Sequence, residues 1–593
     1  MSAMTISIVE PTSKSPSKAA QTIPGVFFEQ AARAGEREYL RFFRDGSWQA
    51  LSWRETAERA TRVACGLIAA GLQPGDHVAL LSENRVEWLY CDLAILAAGG
   101  VTVPIYPSLT ARVAGYIAED SKTPLAIVSN AQLAEKLSGL DHPKRIFKME
   151  TDVVEWVQNA PGLEAERELA SRLEALRPEA MATVVYTSGT TGDPKGVMLT
   201  HRHFVEMGKS ALQAFHIGPE DRLLSYLPYS HVLERVDGIF IETMAGSSFW
   251  LARGMETLVE DIQAAKPTVM LGVPRVFEKV YEAVFDQVHN QPIYKRAIFR
   301  WALGIGAARL HREPGPWLGL RLRIADRLVL DSLRTRLTGG RLRFFISGGA
   351  PLNEKVEEFF WSIGVKILQG WGLTESTSGV TSNTEEEHRY RTVGKTLPGM
   401  AIRIETDGEI LVKGPAVMLG YKNRPEATAE MIGDGWLKTG DMGFVDADGF
   451  LTITDRKKDL LKTSGGKYIA PLPIESQLEN DRYVKASLVV GDQRPFVVAL
   501  IVPDWEALRA DTGLQGDPAA LVVDPTLIAR FSKTVDEVNT GLASFESVKY
   551  FALTDRDFTE AEGELTPTLK KKRRVIVEHF AGQIEAMYAS HTR

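Results

Sequence analysis

The chain has 593 residues and a formal net charge of −7 at pH 7; 24% of its residues are charged and 44% are hydrophobic. This is the composition of a folded globular protein, and at about 150 residues per domain its length indicates roughly four domain-sized units. The mild negative charge argues against a general nucleic-acid-binding protein. The two cysteines, Cys65 and Cys91, lie in apolar helix-like segments, which favours buried reduced thiols over a disulfide.

The first part of the chain predicts an α/β fold. Residues 1–22 contain Ser, Pro and Lys without the apolar core of a signal peptide, which is typical of a disordered tail. The longest apolar stretch, around Leu93 to Tyr106, is interrupted by glycines and a proline and is too short to span a bilayer. Strand-like and helix-like segments alternate from about Pro24 to Pro398, which predicts mostly parallel sheets covered by helices. Buried strands are predicted at 78–81, 126–128, 268–271 and 342–346.

A loop rich in Gly, Ser and Thr lies between Tyr186 and Val197. A β-branched segment before it predicts a buried strand, and helix-like spacing begins near Thr200. A strand, such a loop and a helix can wrap backbone N–H groups around phosphate oxygens, although a surface turn is the alternative. The loop is not a Walker A motif, because its lysine precedes a glycine and follows a proline. The candidate phosphate-binding residues are Thr187, Ser188, Gly189, Thr190, Thr191, Gly192 and Lys195.

Two further segments place small or aromatic residues after predicted strands. Gly348, Gly349 and Ala350 follow the strand at 342–346, where small residues let a flat ligand approach the backbone; a tight turn into a helix is the alternative. The segment from Gln369 to Glu375 offers an aromatic face for a purine and oxygen ligands for Mg²⁺, or else a core Trp and a surface Glu. Its candidate residues are Gln369, Gly370, Trp371, Gly372, Thr374 and Glu375.

The sequence pattern changes after Pro398. Asp407-Gly408 and Asp448-Gly449 each separate two short strand-like runs, which is a hairpin signal, and they predict a small β-rich subdomain over about 399–454. The charged segment 455–459 marks a domain boundary. We therefore expect an N-terminal domain over 23–454 and a small α+β domain over 455–593.

Two features of this sequence leave alternatives open. Asp441 lies on a predicted tight turn, where its carboxylate can accept two ribose hydroxyls or serve ordinary turn chemistry. Residues 295–343 contain twelve Lys or Arg against three Asp or Glu, with Trp and Leu interleaved. Such a stretch can lie on an anionic membrane surface, or it can form a solvated helical hairpin whose arginines pair with acidic neighbours.

Taken together and in this order, the motifs resemble those of the adenylate-forming superfamily, which includes acyl-CoA synthetases, luciferases and peptide-synthetase adenylation domains. The resemblance implies that the C-terminal domain is mobile. It also implies that Thr187 and Glu375 bind Mg²⁺ and that the loop from Ser188 to Lys195 binds the β- and γ-phosphates of ATP. Asp441 would bind the ribose, Arg456 the ribose or a phosphate, and Asp455 would be the hinge.

Three segments resemble the long-chain fatty acyl-CoA synthetase branch: residues 226–235, residues 272–279, and the Leu-Thr-Pro-Thr-Leu-Lys run at 565–570. This resemblance implies a catalytic lysine at Lys570, with Lys571 and Lys572 as alternatives. It places His231 near the carboxylate and phosphate, unless it is a core histidine, and makes Phe277 the gate of an acyl tunnel, unless it only packs. The loop at Gly465 and Gly466 would serve CoA.

The implied activity is ATP-dependent ligation of a long-chain fatty acid to CoA through an acyl-AMP intermediate, with Mg²⁺ as cofactor. One alternative is an acyl-AMP ligase that passes the acyl group to a carrier protein. Another is a catalytically weak lipid- or nucleotide-binding protein at membranes. We expect a cytoplasmic protein, with peripheral contact at the inner membrane surface left open, as are acyl chain length and oligomeric state.

Overall fold

The computed structural model describes residues 21–187, 193–311, 315–464, 467–566 and 570–589. The chain forms two compact units. The N-terminal unit comprises the chain up to Arg403 together with Leu411–Lys438 and Asp446–Leu451, and the C-terminal unit comprises Ile404–Ile410, Thr439–Val445 and the chain from Thr452 onward. Within the described ranges, no helix is long and apolar enough to cross a membrane.

The strands are short, as expected for α/β layers. They are β1 (Glu38–Arg44), β2 (Ser47–Ser52), β3 (His77–Leu81), β4 (Val101–Ile105), β5 (Leu125–Val128), β6 (Arg145–Lys148), β7 (Met181–Thr187), β8 (Lys195–Thr200), β9 (Arg222–Ser225), β10 (Ser248–Leu251), β11 (Val269–Gly272), β12 (Phe344–Ser347), β13 (Ile367–Leu373), β14 (Ser378–Ser382), β15 (Lys395–Thr396), β16 (Ala401–Ile404), β17 (Glu409–Lys413), β18 (Gly420–Tyr421), β19 (Ile432–Gly433), β20 (Trp436–Val445), β21 (Leu451–Arg456), β22 (Leu461–Lys462), β23 (Tyr468–Ile469), β24 (Val484–Val490), β25 (Val497–Pro503) and β26 (Val548–Leu553).

The helices cover the sheets. They are α1 (Ile23–Ala34), α2 (Trp53–Ala69), α3 (Val86–Ala97), α4 (Ala111–Ser121), α5 (Ala131–Glu135), α6 (Val154–Gln158), α7 (Leu163–Ala175), α8 (His201–Ala214), α9 (Ile241–Ala245), α10 (Leu258–Ala265), α11 (Pro274–His289), α12 (Ile293–His311), α13 (Pro316–Ala325), α14 (Asp331–Thr338), α15 (Glu354–Ser362), α16 (Pro425–Met431), α17 (Pro471–Leu478), α18 (Trp505–Thr512), α19 (Pro518–Leu521), α20 (Pro525–Asn539), α21 (Arg573–His579) and α22 (Ala581–Ala589). Stretches of π-helix occur at Met149–Val153, Leu233–Phe240 and Asp326–Leu330.

The N-terminal unit is built on two large sheets. A nine-stranded sheet has the order β15-β14-β13-β12-β11-β9-β10-β1-β2, and its strands from β13 to β1 run parallel. A seven-stranded sheet has the order β18-β8-β7-β4-β3-β5-β6, with β7, β4, β3, β5 and β6 parallel. The predicted parallel α/β layers are therefore confirmed, and they place several strand ends at the same sheet edge.

One expected element order is wrong. The loop after Thr187 was expected to lead into a helix, but it leads into β8, which pairs antiparallel with β7 from Thr187↔Lys195 to Met181↔Thr200. Helix α8 begins at His201, which confirms the helix predicted near Thr200, and Thr200 and His203 form a reciprocal capping box at its start. The loop therefore closes a hairpin, and phosphate binding there would depend on its own N–H groups and side chains rather than on a helix N-terminus.

The hairpin predictions hold. Gly408 and Gly449 have φ angles of 90°, a left-handed conformation that glycine adopts without strain, and each turn joins two strands at the predicted position. Strands β16, β17, β20 and β19 form a sheet in that order, and β21 pairs with β20. Further along the chain, β24, β25 and β26 form a three-stranded sheet whose two faces are covered by α17 and α20 and by α21 and α22.

Arg235 joins the helical connection between β9 and β10 to the seven-stranded sheet. It is nearly fully buried, and its guanidinium donates to both carboxylate oxygens of Asp92 in α3, at 2.9 and 2.6 Å, and to Thr183 Oγ1 in β7, at 2.6 Å. The rings of Trp88 and Phe204 lie within 6 Å of the guanidinium. A buried bidentate pair of this kind is costly to break on one side only, because the remaining charge has no compensation.

We expect Arg235→Met to lower the free energy of unfolding of the N-terminal unit by about 3–5 kcal/mol, since it leaves Asp92 buried without its cation. Urea denaturation measures this. Adding Asp92→Asn should recover part of the loss, because no charge is then left unpaired. As a control, Arg54→Met, which removes an exposed ion pair with Glu36, should cost less than about 1 kcal/mol. Equal losses in Arg235→Met and Arg54→Met would contradict the expectation.

Candidate active site

Small residues occupy the carboxyl ends of β11 and β12, beside Gln369 of β13. Strand register places Gly272 beside Ser347 and Ser347 beside Gln369. The N–H of Gly348 donates to the carbonyl of Gly272 at 3.2 Å, and a Cβ on Gly348 would lie 3.3 Å from Leu233. Beyond Gly348, the predicted residues Gly349 and Ala350 are exposed. A flat ligand can therefore reach the backbone here, as small residues at a strand end allow.

The next strand carries the Gly-Trp-Gly segment. Trp371 is half-buried in β13, and Gln369 is buried with a side chain that approaches Glu357. A side chain at Gly372 is sterically excluded, because its Cβ would lie 1.6 Å from the carbonyl oxygen of Ser378; Gly370 has more room, with Ser382 Oγ at 3.2 Å. The glycine at 372 is thus required for the close pairing of β13 with β14, whether or not Trp371 contacts a ligand.

Thr374 and Glu375 lie in a short 3₁₀ turn, Thr374–Ser376, directly after β13. Ser376 fixes the turn, because its hydroxyl contacts the carbonyls of Leu373 and Ser378 and the N–H of Leu373. The carbonyl of Glu375 also accepts from the N–H of Met418 at 2.8 Å. The position of the Glu375 carboxylate is therefore set by its turn and by the segment that leads into β18.

Tyr421 contacts two of the predicted site residues. Its hydroxyl donates to Glu375 Oε1 at 2.7 Å, and Lys195 Nζ lies 5.1 Å from the centre of its ring. Lys195 is paired with Thr187 across β7 and β8, and the Thr187 hydroxyl lies 3.5 Å from the Lys195 carbonyl. The structure therefore places Lys195 and Glu375 against Tyr421, with Thr187 paired to Lys195. Sequence reasoning missed this tyrosine, because nothing local to residues 420–422 indicates a contact with Glu375.

The predicted loop residues Ser188, Gly189, Thr190, Thr191 and Gly192 lie outside the described residues, as do Gly465 and Gly466. The strands on either side of the first loop are described, and they end at Thr187 and begin again at Lys195. Hard oxygen donors at Thr187 and Glu375 and a cation at Lys195 are a donor set that fits Mg²⁺ with a polyphosphate.

The segment from Leu227 to His231 spans the carboxyl ends of both large sheets. It follows β9, and Asn84 after β3 contacts the Leu227 carbonyl and the Tyr229 N–H at 2.7 and 3.0 Å. His231 is half-buried, and its Nδ1 accepts from the N–H of Leu233 at 3.2 Å, which leaves the ring proton on Nε2. The predicted His231 is thus held in one tautomer at the start of the π-helix.

Two buried carboxyls follow His231 in the π-helix. Glu234 accepts from the Ser225 hydroxyl at the end of β9, and Asp237 accepts from the Ser378 hydroxyl in β14 at 2.6 Å. Burial raises the pKa of Glu234 to about 8 and the pKa of Asp237 to about 7. Both carboxyls are therefore largely protonated below neutral pH. The sequence gives no local signal for this burial, because Glu234 is followed directly by Arg235 and then by Asp237, as on a solvated helix face.

Phe277 is 2% exposed and lies at the start of α11. Its ring closes the space beside Gly272, where a Cβ would lie 2.4 Å from Phe277 Cζ and 3.1 Å from the Tyr226 hydroxyl. It packs edge-on against Phe345 and Phe360. The gate assignment and the packing assignment both fit this position, because the ring belongs to a core cluster and also borders the open strand edge.

The C-terminal unit brings Asp441 and Arg456 together. Arg456 Nε lies 2.8 Å from Asp441 Oδ1, and the buried Asp455 accepts from the N–H groups of Arg456 and Leu472 at 2.6 and 3.2 Å. Burial raises the pKa of Asp455 to about 6. The predicted hinge carboxylate therefore binds the backbone on both sides of the segment that follows β21, including the N-terminus of α17.

The three candidate lysines occupy different environments. Lys570 is exposed, and its N–H is bonded to Thr566 Oγ1 at 3.0 Å. Lys571 Nζ donates to Glu475, Glu479 and the carbonyl of Ser487 at 3.2, 2.6 and 2.7 Å. Although burial opposes its charge, these carboxylates hold the pKa of Lys571 above its usual value. Lys571 therefore has a structural position, which favours Lys570 over Lys571 for chemistry.

Comparison with known proteins shows the family of this chain. The model of the AMP-binding enzyme family matches residues 27–422, and that of the AMP-binding enzyme C-terminal domain matches residues 458–592. The chain belongs to the AMP-binding enzyme family. It is 39% identical to a long-chain-fatty-acid–CoA ligase, FadD15, from Mycobacterium bovis, over 92% of this chain and 93% of that protein.

Two more relatives are similar over most of their length. A long-chain-fatty-acid–CoA ligase from Rattus norvegicus, ACSBG2, is 32% identical over 96% of this chain and 93% of its own. The crystal structure of ATP-bound MatB from Rhodopseudomonas palustris aligns with a TM-score of 0.70 and 25% identity, over 94% of this chain and 99% of that one. The fold described above is therefore shared with that protein.

The buried carboxyls give a pH dependence of stability. The folded protein keeps Glu234 protonated up to about pH 8, whereas the unfolded chain releases this proton near its ordinary pKa of 4.5. Stability from this group is therefore present below about pH 4.5 and is lost as the pH rises towards 8. We expect the thermal midpoint of Glu234→Gln, relative to the unchanged protein, to rise between pH 5 and pH 8, as thermal scans can measure. A difference that is constant with pH would contradict this.

Proposed function

We propose that this protein is an ATP-dependent long-chain fatty acid–CoA ligase that acts through an acyl-AMP intermediate. The observation that carries the proposal is the placement of Lys195 and Glu375 against Tyr421, with Thr187 paired to Lys195, in a member of the AMP-binding enzyme family. The names of its relatives from Mycobacterium bovis and Rattus norvegicus supply the substrate class. Fatty acid, ATP and CoA are thus the proposed substrates, and Mg²⁺ the proposed cofactor.

The first half-reaction joins two anions, so catalysis there consists mainly of alignment and charge neutralisation. The fatty-acid carboxylate attacks the α-phosphorus, a new C–O–P linkage forms, and pyrophosphate leaves with the electron pair of the broken P–O bond. Thr187 and Glu375 would hold Mg²⁺, which neutralises phosphate charge when bound. Lys195 adds a positive charge beside the phosphates, and Lys570 would bridge carboxylate and phosphate oxygens.

The purine and ribose sites follow from the same elements. We propose that the purine lies against Trp371 and the backbone of residues 348–350, where a side chain would be in the way. Asp441 would accept the ribose hydroxyls, and Arg456, which now pairs with Asp441, would donate to the ribose or a phosphate. Thr374 and the loop residues before Lys195 complete the proposed nucleotide site.

In the second half-reaction the CoA thiolate displaces AMP from the acyl carbon. We propose that the C-terminal domain, residues 455–593, rotates about Asp455 between the two steps, removing Lys570 and presenting the loop at Gly465 and Gly466. One site would then run two reactions through a domain movement. The two hydrogen bonds that Asp455 accepts from the backbone are the contacts such a rotation has to change.

Phe277 is proposed as the gate of the acyl tunnel. It borders the strand edge at Gly272 on one side and the aromatic cluster of Phe345 and Phe360 on the other.

The free buried cysteines fit a reducing, cytoplasmic compartment. Peripheral contact with the inner membrane surface would bring the enzyme to its apolar substrate.

The direct test is CoA-dependent AMP release from ATP and palmitate, together with ATP–pyrophosphate exchange across fatty-acid chain lengths. The proposal expects palmitate-dependent exchange without CoA, and acyl-CoA formation once CoA is added. Transfer to an acyl carrier protein but not to CoA would replace it with the acyl-AMP ligase alternative. Lipid binding without any exchange would support the catalytically weak alternative.

Lys570→Ala and Lys571→Met should fail in different ways. Lys570→Ala should lower palmitate-dependent pyrophosphate exchange by roughly 10²–10³-fold, by analogy with the loss of one oxyanion donor, and should spare thioester formation from supplied acyl-AMP. Its thermal midpoint should not change, because the side chain is exposed. Lys571→Met should instead destabilise the C-terminal unit by about 1–3 kcal/mol, since Glu479 loses its cation and Glu475 keeps only Arg573. Near-normal exchange in Lys570→Ala would point to Lys572.

Glu375→Gln should raise the Mg²⁺ concentration needed for half-maximal exchange without changing the KM for palmitate, because an amide is a poorer ligand for a hard cation than a carboxylate. Tyr421→Phe should shift the Mg²⁺ titration in the same direction and less far, since only the hydrogen bond that orients Glu375 is lost. Tyr39→Phe, which removes a buried hydroxyl bonded to Thr243, is the matched control and should leave the titration unchanged. If the Mg²⁺ titrations of all three variants match that of the unchanged protein, Glu375 has only a packing role.

A further inference from the structure

The turn that carries Glu375 is followed by two residues in a left-handed backbone conformation. Thr377 and Ser378 have φ angles of 56° and 86°, in the region that glycine adopts freely and that a β-branched threonine normally avoids. Such conformations persist only where the surrounding contacts enforce them. The contacts that enforce this pair therefore also set the position of the turn before it.

Each of these two residues is held by its own side chain. The Thr377 hydroxyl donates to the carbonyl of Ala416 at 2.6 Å, and the Ser378 hydroxyl donates to Asp237 Oδ2 at 2.6 Å. Asp237 belongs to the π-helix Leu233–Phe240, which packs against β14. The strained pair is thus fixed on one side by the segment before β18 and on the other by the π-helix.

Ser378 is also bonded to the turn itself. The Ser376 hydroxyl lies 3.0 Å from the Ser378 carbonyl, and it contacts the carbonyl and the N–H of Leu373 at 3.0 and 2.9 Å. Leu373 and Ser376 enclose Thr374 and Glu375 in the chain. Because only one hydrogen bond separates Ser378 from these enclosing residues, a displacement of Ser378 would reach Glu375.

The surroundings of Ser378 leave its backbone little freedom. A Cβ on Gly372 would lie 1.6 Å from the Ser378 carbonyl oxygen, so β13 and β14 are in close contact at this point. Ser378 pairs with Leu373 at the start of β14. Ser378 is 7% exposed, so water has little access to replace the carboxylate as the partner of its hydroxyl. The contact with Asp237 is therefore not readily exchanged for another.

We propose that Asp237 is a positioning residue for adenylation, because its hydrogen bond with Ser378 holds the turn that presents the Glu375 carboxylate to Mg²⁺. The inference rests on the proposed function, in which Glu375 is a ligand of that ion. Asp237 does not touch the metal or the substrate in this role. Groups that orient a metal ligand contribute to metal affinity although they never contact the ion. The alternative is that the pair of Asp237 and Ser378 only stabilises the fold.

Asp237→Ala and Ser378→Ala each remove one partner of this hydrogen bond. In ATP–pyrophosphate exchange with palmitate, each should raise the Mg²⁺ concentration for half-maximal rate by about three- to ten-fold, the effect of one hydrogen bond, without changing the KM for palmitate. Asp237→Asn should keep most of the affinity, because its amide oxygen can still accept from Ser378. The double variant should be no worse than the more affected single variant, since both changes remove the same contact.

Two further measurements do not depend on turnover. Mn²⁺ prefers the same oxygen ligands as Mg²⁺, and its binding with a non-hydrolysable ATP analogue can be followed by electron paramagnetic resonance. This binding should weaken by the same factor in Asp237→Ala and Ser378→Ala. Hydrogen exchange of the Leu373 and Thr377 amides, which are bonded within the turn at 2.9 and 3.1 Å, should become faster in both variants without metal.

The matched control is Ser247→Ala. Ser247 is fully buried and its hydroxyl donates to the buried Glu242, so this variant also removes a hydroxyl from a buried carboxyl. It lies in the same connection between β9 and β10, after the π-helix. Ser247→Ala should lower the thermal midpoint about as much as Ser378→Ala does, and it should leave the Mg²⁺ titration and Mn²⁺ binding unchanged.

The outcomes separate this inference from the proposed function. Weaker metal binding in Asp237→Ala and Ser378→Ala, recovered in Asp237→Asn and absent in Ser247→Ala, supports the inference. Normal metal binding in Ser378→Ala beside a shifted titration in Glu375→Gln would overturn it and leave the proposed function standing. An unshifted titration in Glu375→Gln would overturn the metal role of Glu375 and the inference with it.

Two results that concern the protein as a whole also have a defined meaning. If Asp237→Ala does not fold, Ser378→Ala decides the inference, because it removes the same hydrogen bond and keeps the carboxylate. Absence of palmitate-dependent exchange in the unchanged protein would overturn the proposed function alone, because Mn²⁺ binding still measures the effect of the contact.

Discussion

The π-helix Leu233–Phe240 is the element on which the architecture of the N-terminal unit depends, and the buried pair of Arg235 and Asp92 is its anchor. Through Arg235 the π-helix is bonded to α3 and to Thr183 in the seven-stranded sheet. Through Glu234 and Asp237 it is bonded to β9 and β14 of the nine-stranded sheet. Charged and ionisable groups this deeply buried are favourable only when each has its partners, so one short element fixes two sheets together.

This connection explains why the proposed site lies where it does. The segment just before the π-helix carries His231 and spans the carboxyl ends of β3 and β9, and Leu233 lies against Gly348. The same edge holds Gly272, Ser347 and Gln369 in register. Parallel strands bring their carboxyl ends together, and glycines leave the backbone there accessible. π-Helical turns are frequent at functional sites, and this one positions polar groups that a regular α-helix would direct elsewhere.

In the C-terminal unit, buried charges hold the backbone next to Lys570 instead of joining two sheets. Glu475 lies at the centre of a buried network with Lys571 and Arg573, which fixes the backbone that follows Lys570 while leaving the Lys570 side chain exposed. Asp455 is tied to two backbone N–H groups instead of to a cation. This network fixes the backbone at the base of the exposed Lys570 side chain, because the rotamer freedom of the supporting residues is already lost.

The sequence by itself determined the features that depend on near neighbours. Alternating apolar runs predicted parallel α/β layers, and Asp-Gly dipeptides predicted both hairpins, since turn geometry is set within four residues. The motifs also indicated the candidate site. Only the tertiary structure decided that β8 follows the loop after Thr187, that Tyr421 contacts both Lys195 and Glu375, that burial raises the pKa of Glu234 and Asp237, and that Lys571 is structural while Lys570 is exposed. These depend on partners far away in the chain, such as Ser378 for Asp237, and on burial, which no local pattern encodes.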